Sequence, residues 1–320
     1  MDLHLLVDNL TNPALLFFFL GIIAVQLKSD LKIPENSSKF ISFYLLLSIG
    51  FKGGQELAHS ELDLQILWSL LFGILLAIVV PFYSFFILRR KFNVYNSGAI
   101  AAAYGSVSAV TFVTAISFLE IEQIPFGGHM VAVMALMEAP SIIVGVSLIS
   151  IYNKNKSEKQ NLGKLVKHSL TNGSVLLIIG SLLIGILASE QQAEGIKPFT
   201  TDIFKGFLAV FLLDMGITSG KKIGELIKKG WFALLFAIII PIINGSLVAF
   251  VSQTFIEGDG NRLLFAILAA SASYIAVPAA MRIAVPKANP SLYLPMALAI
   301  TFPFNITLGM PLYLWIIQYF

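Results

Sequence analysis

Ten apolar stretches divide the chain, at roughly 13–27, 38–54, 65–88, 96–118, 128–152, 172–189, 203–219, 231–255, 262–284 and 292–318. About 20 apolar residues are enough for a helix to cross a bilayer core. No water is there to satisfy the backbone, so a segment of this length must satisfy it internally, as a helix does. The pattern therefore reads as an all-α polytopic membrane protein. Composition agrees: 57% of residues are hydrophobic and 12% charged, where a soluble domain carries about 25% charge.

The loops between the stretches test the count. With the N-terminus outside, the inner loops hold Lys28, Lys32 and Lys39; Arg89, Arg90 and Lys91; Lys154, Lys156, Lys159, Lys164 and Lys167; Lys221, Lys222, Lys228 and Lys229; and Arg282 and Lys287. Of the 21 basic residues only Lys52, Lys197, Lys205 and Arg262 fall outside. This is the positive-inside bias, alternating loop after loop. It predicts ten spans with both termini outside the bacterial cytoplasmic membrane. The start, Met1 to Asp8, lacks the basic region and cleavage site of a signal peptide, so the first stretch reads as a retained span.

The solvated run 153–172 splits the chain into halves, 1–152 and 173–320, of five spans each. An odd number makes the second half enter from the opposite side, as an inverted repeat. The halves share an ordered set of features. Gly50 and Gly54 match Gly216 and Gly220; Pro81 matches Pro241; Ser106 and Ser108 match Ser271 and Ser273; Glu138-Ala-Pro140 matches Thr301-Phe-Pro303. The expected fold is ten helices as two inverted five-helix repeats with broken crossing helices.

The breaks are expected in the fourth and ninth spans, at Tyr104-Gly-Ser-Val-Ser-Ala109 and Ala269-Ala-Ser-Ala-Ser-Tyr274, with Pro278 interrupting the latter span. A paired interruption in two halves points to a transporter's binding site. A half-helix that starts at mid-membrane presents free N–H groups and the positive end of its dipole to an anion. The alternative is that Gly105, Ser106, Ser108, Ala272 and Ser273 only let helices pack closely.

Only two acids, Glu138 and Asp214, fall well within spans, and an ionisable group there is costly enough to suggest function. Glu138 with its counterpart Thr301 could hold a small cation or a proton. Asn305 and Asp214 are further candidates, although amides such as Asn244 and Asn305 more often join helices, and Asp214 can make a structural hydrogen bond or a snorkelling contact with Lys221 or Lys222. With no cysteine, disulfides and thiolate sites are excluded. The four histidines lack metal-ligand spacing, and no nucleotide-binding or hydrolase motif is present. The chain does not read as an enzyme or a nucleic-acid binder, and no resident cofactor is expected.

The stretch Ser271-Ala-Ser-Tyr-Ile-Ala-Val-Pro-Ala-Ala-Met-Arg-Ile-Ala-Val-Pro-Lys-Ala-Asn-Pro-Ser-Leu-Tyr293 resembles that of the cyanobacterial sodium-dependent bicarbonate transporters. Ile223-Gly-Glu-Leu226, the acid-x-Pro element at Glu138 and Gly105-Ser-Val-Ser108 fit the same family. The resemblance implies ten helices in two inverted repeats, a homotrimer, sodium as the coupling ion and bicarbonate as the substrate. Carried over by position, the substrate site is Gly105, Ser106, Ser108, Thr111, Ser271, Ser273 and Tyr274. A small PII-like regulatory protein is a further partner implied by the family. The chain departs at Tyr274, where the family has an aspartate. Tyrosine is neutral below a pKa of about 10 and makes a poor sodium ligand. The expected function is secondary active transport of bicarbonate or a similar small anion. The alternatives are an uncoupled channel or sensory protein on the same fold, or a transporter of another small organic anion.

Overall fold

In the computed structural model, residues 3–59, 63–153, 167, 171–227 and 230–320 are described. Among them every regular element is helical. Most of the segment 153–172, with Lys154, Lys156, Lys159, Lys164 and His168, lies outside the described residues, as do Lys228 and Lys229.

The helices follow the apolar stretches closely. They are α1 (Leu3–Thr11), α2 (Pro13–Gln26), α3 (Glu35–Ala58), α4 (Leu64–Leu88), α5 (Val94–Gly105), α6 (Ala109–Ile121), α7 (His129–Tyr152), α8 (Gly173–Leu187), α9 (Glu190–Lys197), α10 (Phe204–Ile227), α11 (Trp231–Val251), α12 (Asp259–Ala270) and α13 (Ala276–Ala284). The last, α14 (Pro290–Tyr319), is one run with two π turns. Among the described residues six runs are long and apolar enough to cross a membrane: Leu64–Leu88, Val94–Ile121, His129–Tyr152, Glu190–Gly224, Trp231–Thr254 and Pro290–Tyr319. The chain is thus a polytopic helical membrane protein.

Two helix pairs flank a central group. The first pair is α2 with α10, and the second α3 with α8. Each crosses on glycine. A Cβ on Gly21 would strike the Leu213 carbonyl and one on Gly216 the Phe18 carbonyl; in the other pair Gly54 meets the Leu182 carbonyl and Gly185 the Phe51 carbonyl. Such backbone-to-backbone approach is how helices gain dispersion contact in lipid, where apolar burial gives little. The central group has two triads, α4 with α5 and α7, and α11 with α12 and α14.

Pro81 and Pro241 lie inside α4 and α11. A proline has no N–H for the carbonyl four residues earlier. The carbonyl that Pro241 leaves free is that of Ala237, and the Thr301 hydroxyl donates to it at 2.8 Å. Pro278 behaves differently from expectation. It does not interrupt a helix but sits third in α13, within the first turn, where a missing N–H costs nothing. The interruption lies upstream, at residues 271–275.

Lys52, Lys197, Lys205 and Arg262, the basic residues opposing the charge bias, each face a carboxylate: Glu120 at 2.7 Å, Glu194 at 3.1 Å, Glu120 at 3.9 Å and Asp259 at 3.7 Å. Arg262 is more than a loop charge. It is buried and donates to the carbonyls of Ile317 at 3.2 Å and Ala249 at 3.1 Å, tying α12 to the ends of α11 and α14.

Candidate functional site

Serine makes both interruptions, because its hydroxyl can bond nearby backbone in place of the helix ladder. After α5 the chain runs extended through Ser106, and Ser108 caps α6 by accepting from the Thr111 N–H at 3.2 Å. After α12, Ser271 is extended, and Ser273 accepts from the Val277 N–H at 3.3 Å at the start of α13. The two breaks touch. The Ser108 N–H donates to Ser271 Oγ at 3.0 Å, and the Ser273 N–H to the Ala103 carbonyl at 2.8 Å. Each break therefore satisfies part of the other's backbone, which is what allows unwound chain at membrane depth.

The carbonyl ends are braced too. Asn244 donates to the Ala269 carbonyl at 3.1 Å and Asn305 to that of Ala270 at 2.9 Å. Asn244 in turn accepts from the Tyr83 hydroxyl, and Asn305 from that of Tyr313 at 3.3 Å. On the first break, Ser141 donates to the Ala102 carbonyl at 2.9 Å. Gly105 is pressed so closely by the Pro81 ring and Ser141 that it has no room for a side chain.

Between the half-helix starts lies a space of about 10 Å³, lined by Leu46, Val107, Ser108, Ala109, Glu138, Ser174, Ser273, Tyr274, Ile275 and Ala276. One water needs at least about 10–15 Å³, so the space is closed around nothing larger. Glu138 is 5% exposed, and its Oε2 has no hydrogen-bond partner among the described residues. Ser106 Oγ and Thr111 Oγ1 are buried and unpartnered in the same way. A buried polar atom left unpaired is costly, and three of them cluster on the first break and the helix beside it.

The expected residues thus fall into two groups. Ser108, Ser273, Tyr274 and Glu138 meet around the small space; Gly105, Ser106, Thr111 and Ser271 belong to the breaks but do not line it. Thr301, Asn305 and Asp214 stand apart from it. Thr301 bonds Tyr104 at 2.7 Å as well as the Ala237 carbonyl, and Asn305 is engaged as above. Asp214 accepts from the Ser38 hydroxyl.

Tyr274 and Ile275 also line a second, open hollow of about 530 Å³ that reaches Lys39 and Arg282 at its mouth. Ser174, Tyr274 and Ile275 line both spaces and stand between them. The Tyr274 hydroxyl rests 3.7 Å from Met215 Sδ, and its ring meets Phe302 edge-on at 6.1 Å. Ser174 and Leu46 carry no sequence signal and come to the space by tertiary packing alone, whereas Ile275 enters as part of the second break.

Broken helices meeting in the core of a polytopic bundle define a membrane protein of the transporter class. The chain belongs to the Na+-dependent bicarbonate transporter superfamily, whose family model it matches over residues 13–318. No curated protein matches it. Membership places it among transporters rather than enzymes.

Proposed function

We propose that this chain is a secondary transporter of bicarbonate or a similar small anion, coupled to a cation and working by alternating access. One observation carries the reading: Ser108 and Ser273, each at the start of a half-helix, face Glu138 across one buried space. The half-helix starts supply N–H groups and dipole charge for the anion. In so dry a space an anion beside a carboxylate repels it strongly. A cation between them, or a proton on Glu138, removes the repulsion, so the two solutes enter together. Sodium is the cation in the family's name. Asn305 acts through the break it braces, and Thr301 through the Ala237 carbonyl and the Tyr104 hydroxyl.

Adding α2, α3, α8 and the α12–α13 pair to the six long runs makes ten passes. We take residues 1–152 and 173–320 as inverted repeats joined by a linker at 153–172. The exchange of partners supports this, since the first helix of each half pairs with the second of the other. The passes at 94–121 and 129–152, with their counterparts, would move against the glycine-packed pairs. Family resemblance further proposes a homotrimer in the bacterial cytoplasmic membrane, both termini outside, with a PII-like protein as regulator. The exposed apolar face of α4, with Leu67, Trp68, Leu71 and Leu75, suits lipid or a neighbouring subunit.

A second reading, uncoupled flux or sensing on the same fold, draws on Tyr274, a neutral group where the family has an acid. Uptake of radiolabelled small anions into liposomes, with and without inward sodium or proton gradients, separates the two. Uphill uptake that collapses without the gradient is expected; purely downhill flux would sink coupling.

A further inference from the structure

We propose that the transported anion is a carboxylate with a short hydrocarbon body. Its carboxylate sits at the Ser108 and Ser273 half-helix starts, and its body lies along Tyr274 and the wall of the open hollow. This rests on the reading of the breaks as the anion site and narrows it.

The argument is the order of surfaces along the path. The mouth of the hollow carries Lys39 and Arg282, both exposed, which draw in an anion. Its wall is mostly apolar, with Phe43, Phe211, Met215, Ile275, Pro278 and Leu298, beside the polar Ser42, Asn172 and Ser174. Beyond Tyr274 the surface turns polar again at Ser108, Ser273 and Glu138. A solute polar on every side gains nothing from the middle section and loses hydration there without replacement. A carboxylate with an apolar tail matches all three zones, as binding sites for small organic ligands do. Tyr274 fits this use. Its hydroxyl meets Ser108 and the Met215 thioether, a weak acceptor, and the residue lines both spaces. Of the three serine hydroxyls on the wall, Ser38 is engaged with Asp214, and Ser42 and Ser174 remain.

The hollow shares Phe43 and Gly173 with an apolar groove of about 540 Å³ between α3 and α8, so a lipid tail is the competing occupant. Titration of the purified full chain in lipid nanodiscs with sodium formate, acetate, propionate, butyrate, hexanoate, dodecanoate and bicarbonate decides. The expected result is a dissociation constant that falls roughly three- to fourfold per added methylene from formate to butyrate, levels off by hexanoate, and is weaker for bicarbonate than for propionate. Tyr274→Phe keeps the slope and Tyr274→Ala flattens it. A flat series, or bicarbonate tightest, overturns the proposal while leaving the anion site in place. A rise unbroken to dodecanoate overturns it in favour of a lipid tail. No binding of any anion overturns it together with the reading beneath it. The unsubstituted series needs no variant to fold.

Discussion

Ser108 and Ser273 do similar work in the two breaks, each accepting an N–H from the first turn of the half-helix that follows, yet their surroundings differ. The run Val94–Ile121 is 89% buried over its apolar window. Its second piece, α6, is 13 residues long, and Gly105, at the end of its first piece, is pinned between Pro81 and Ser141. The second break is longer and feeds α13, only nine residues, with Ile275, Ala279, Arg282 and Ile283 exposed. One break is set in the core and the other forms the wall of an open hollow. A binding site between them would have a fixed side and a side that opens, and Tyr274 belongs to the latter.

The largest expected contrast is between Glu138 and its counterpart Thr301. Glu138→Gln should abolish gradient-driven accumulation in liposomes while leaving the fold intact, since Oε2 has no bond to lose. Thr301→Val should do the opposite, costing about 1–3 kcal/mol by leaving the Ala237 carbonyl unpaired and keeping ion dependence. An unchanged ion dependence in Glu138→Gln would remove that residue from coupling.

Next, Gly105→Val should cost about 1–3 kcal/mol or more in unfolding in mixed micelles, because its side chain must displace a proline ring and Ser141. At the open break Ala279→Val should stay within about 0.5 kcal/mol, as exposed substitutions do. Equal costs would mean that both breaks are equally tight.

The braces come last. Asn305→Ala strands the Ala270 carbonyl and removes an acceptor of Tyr313, for about 2 kcal/mol; Ser141→Ala loses one bond, for about 1 kcal/mol. The same unfolding measurement ranks them, and the reverse order would show that the first break carries the greater load.

The sequence made the helices and breaks readable because membrane depth leaves few choices. Long apolar runs had to be helices, and α2 to α14 begin and end within a few residues of where hydropathy puts them, α9, the split pairs and the C-terminal end of α10 apart. Ser106, Ser108, Ser271 and Ser273 marked the interruptions, since small hydroxylic residues in hydrocarbon need a reason. Pro278 misled because proline's effect depends on whether its N–H was needed, and in a first turn it is not. Thr301 and Asn305 resembled ion ligands by chemistry. What they bond was set by Pro241 and by the end of α12, distant in sequence. Glu138 could be singled out as a lone buried acid, but not its meeting with Ser273, Tyr274 and Ile275. That meeting depends on how α7, α6 and α13 pack.

Uptake by chains carrying Ser108→Phe and Ser273→Phe singly tests the central claim most directly. Each variant fills the space of about 10 Å³ between the half-helix starts. Radiolabelled bicarbonate, and the short carboxylates beside it, should no longer accumulate in liposomes containing either variant, while the unsubstituted chain accumulates its anion. Uptake that survives both substitutions would place the anion elsewhere and contradict the account.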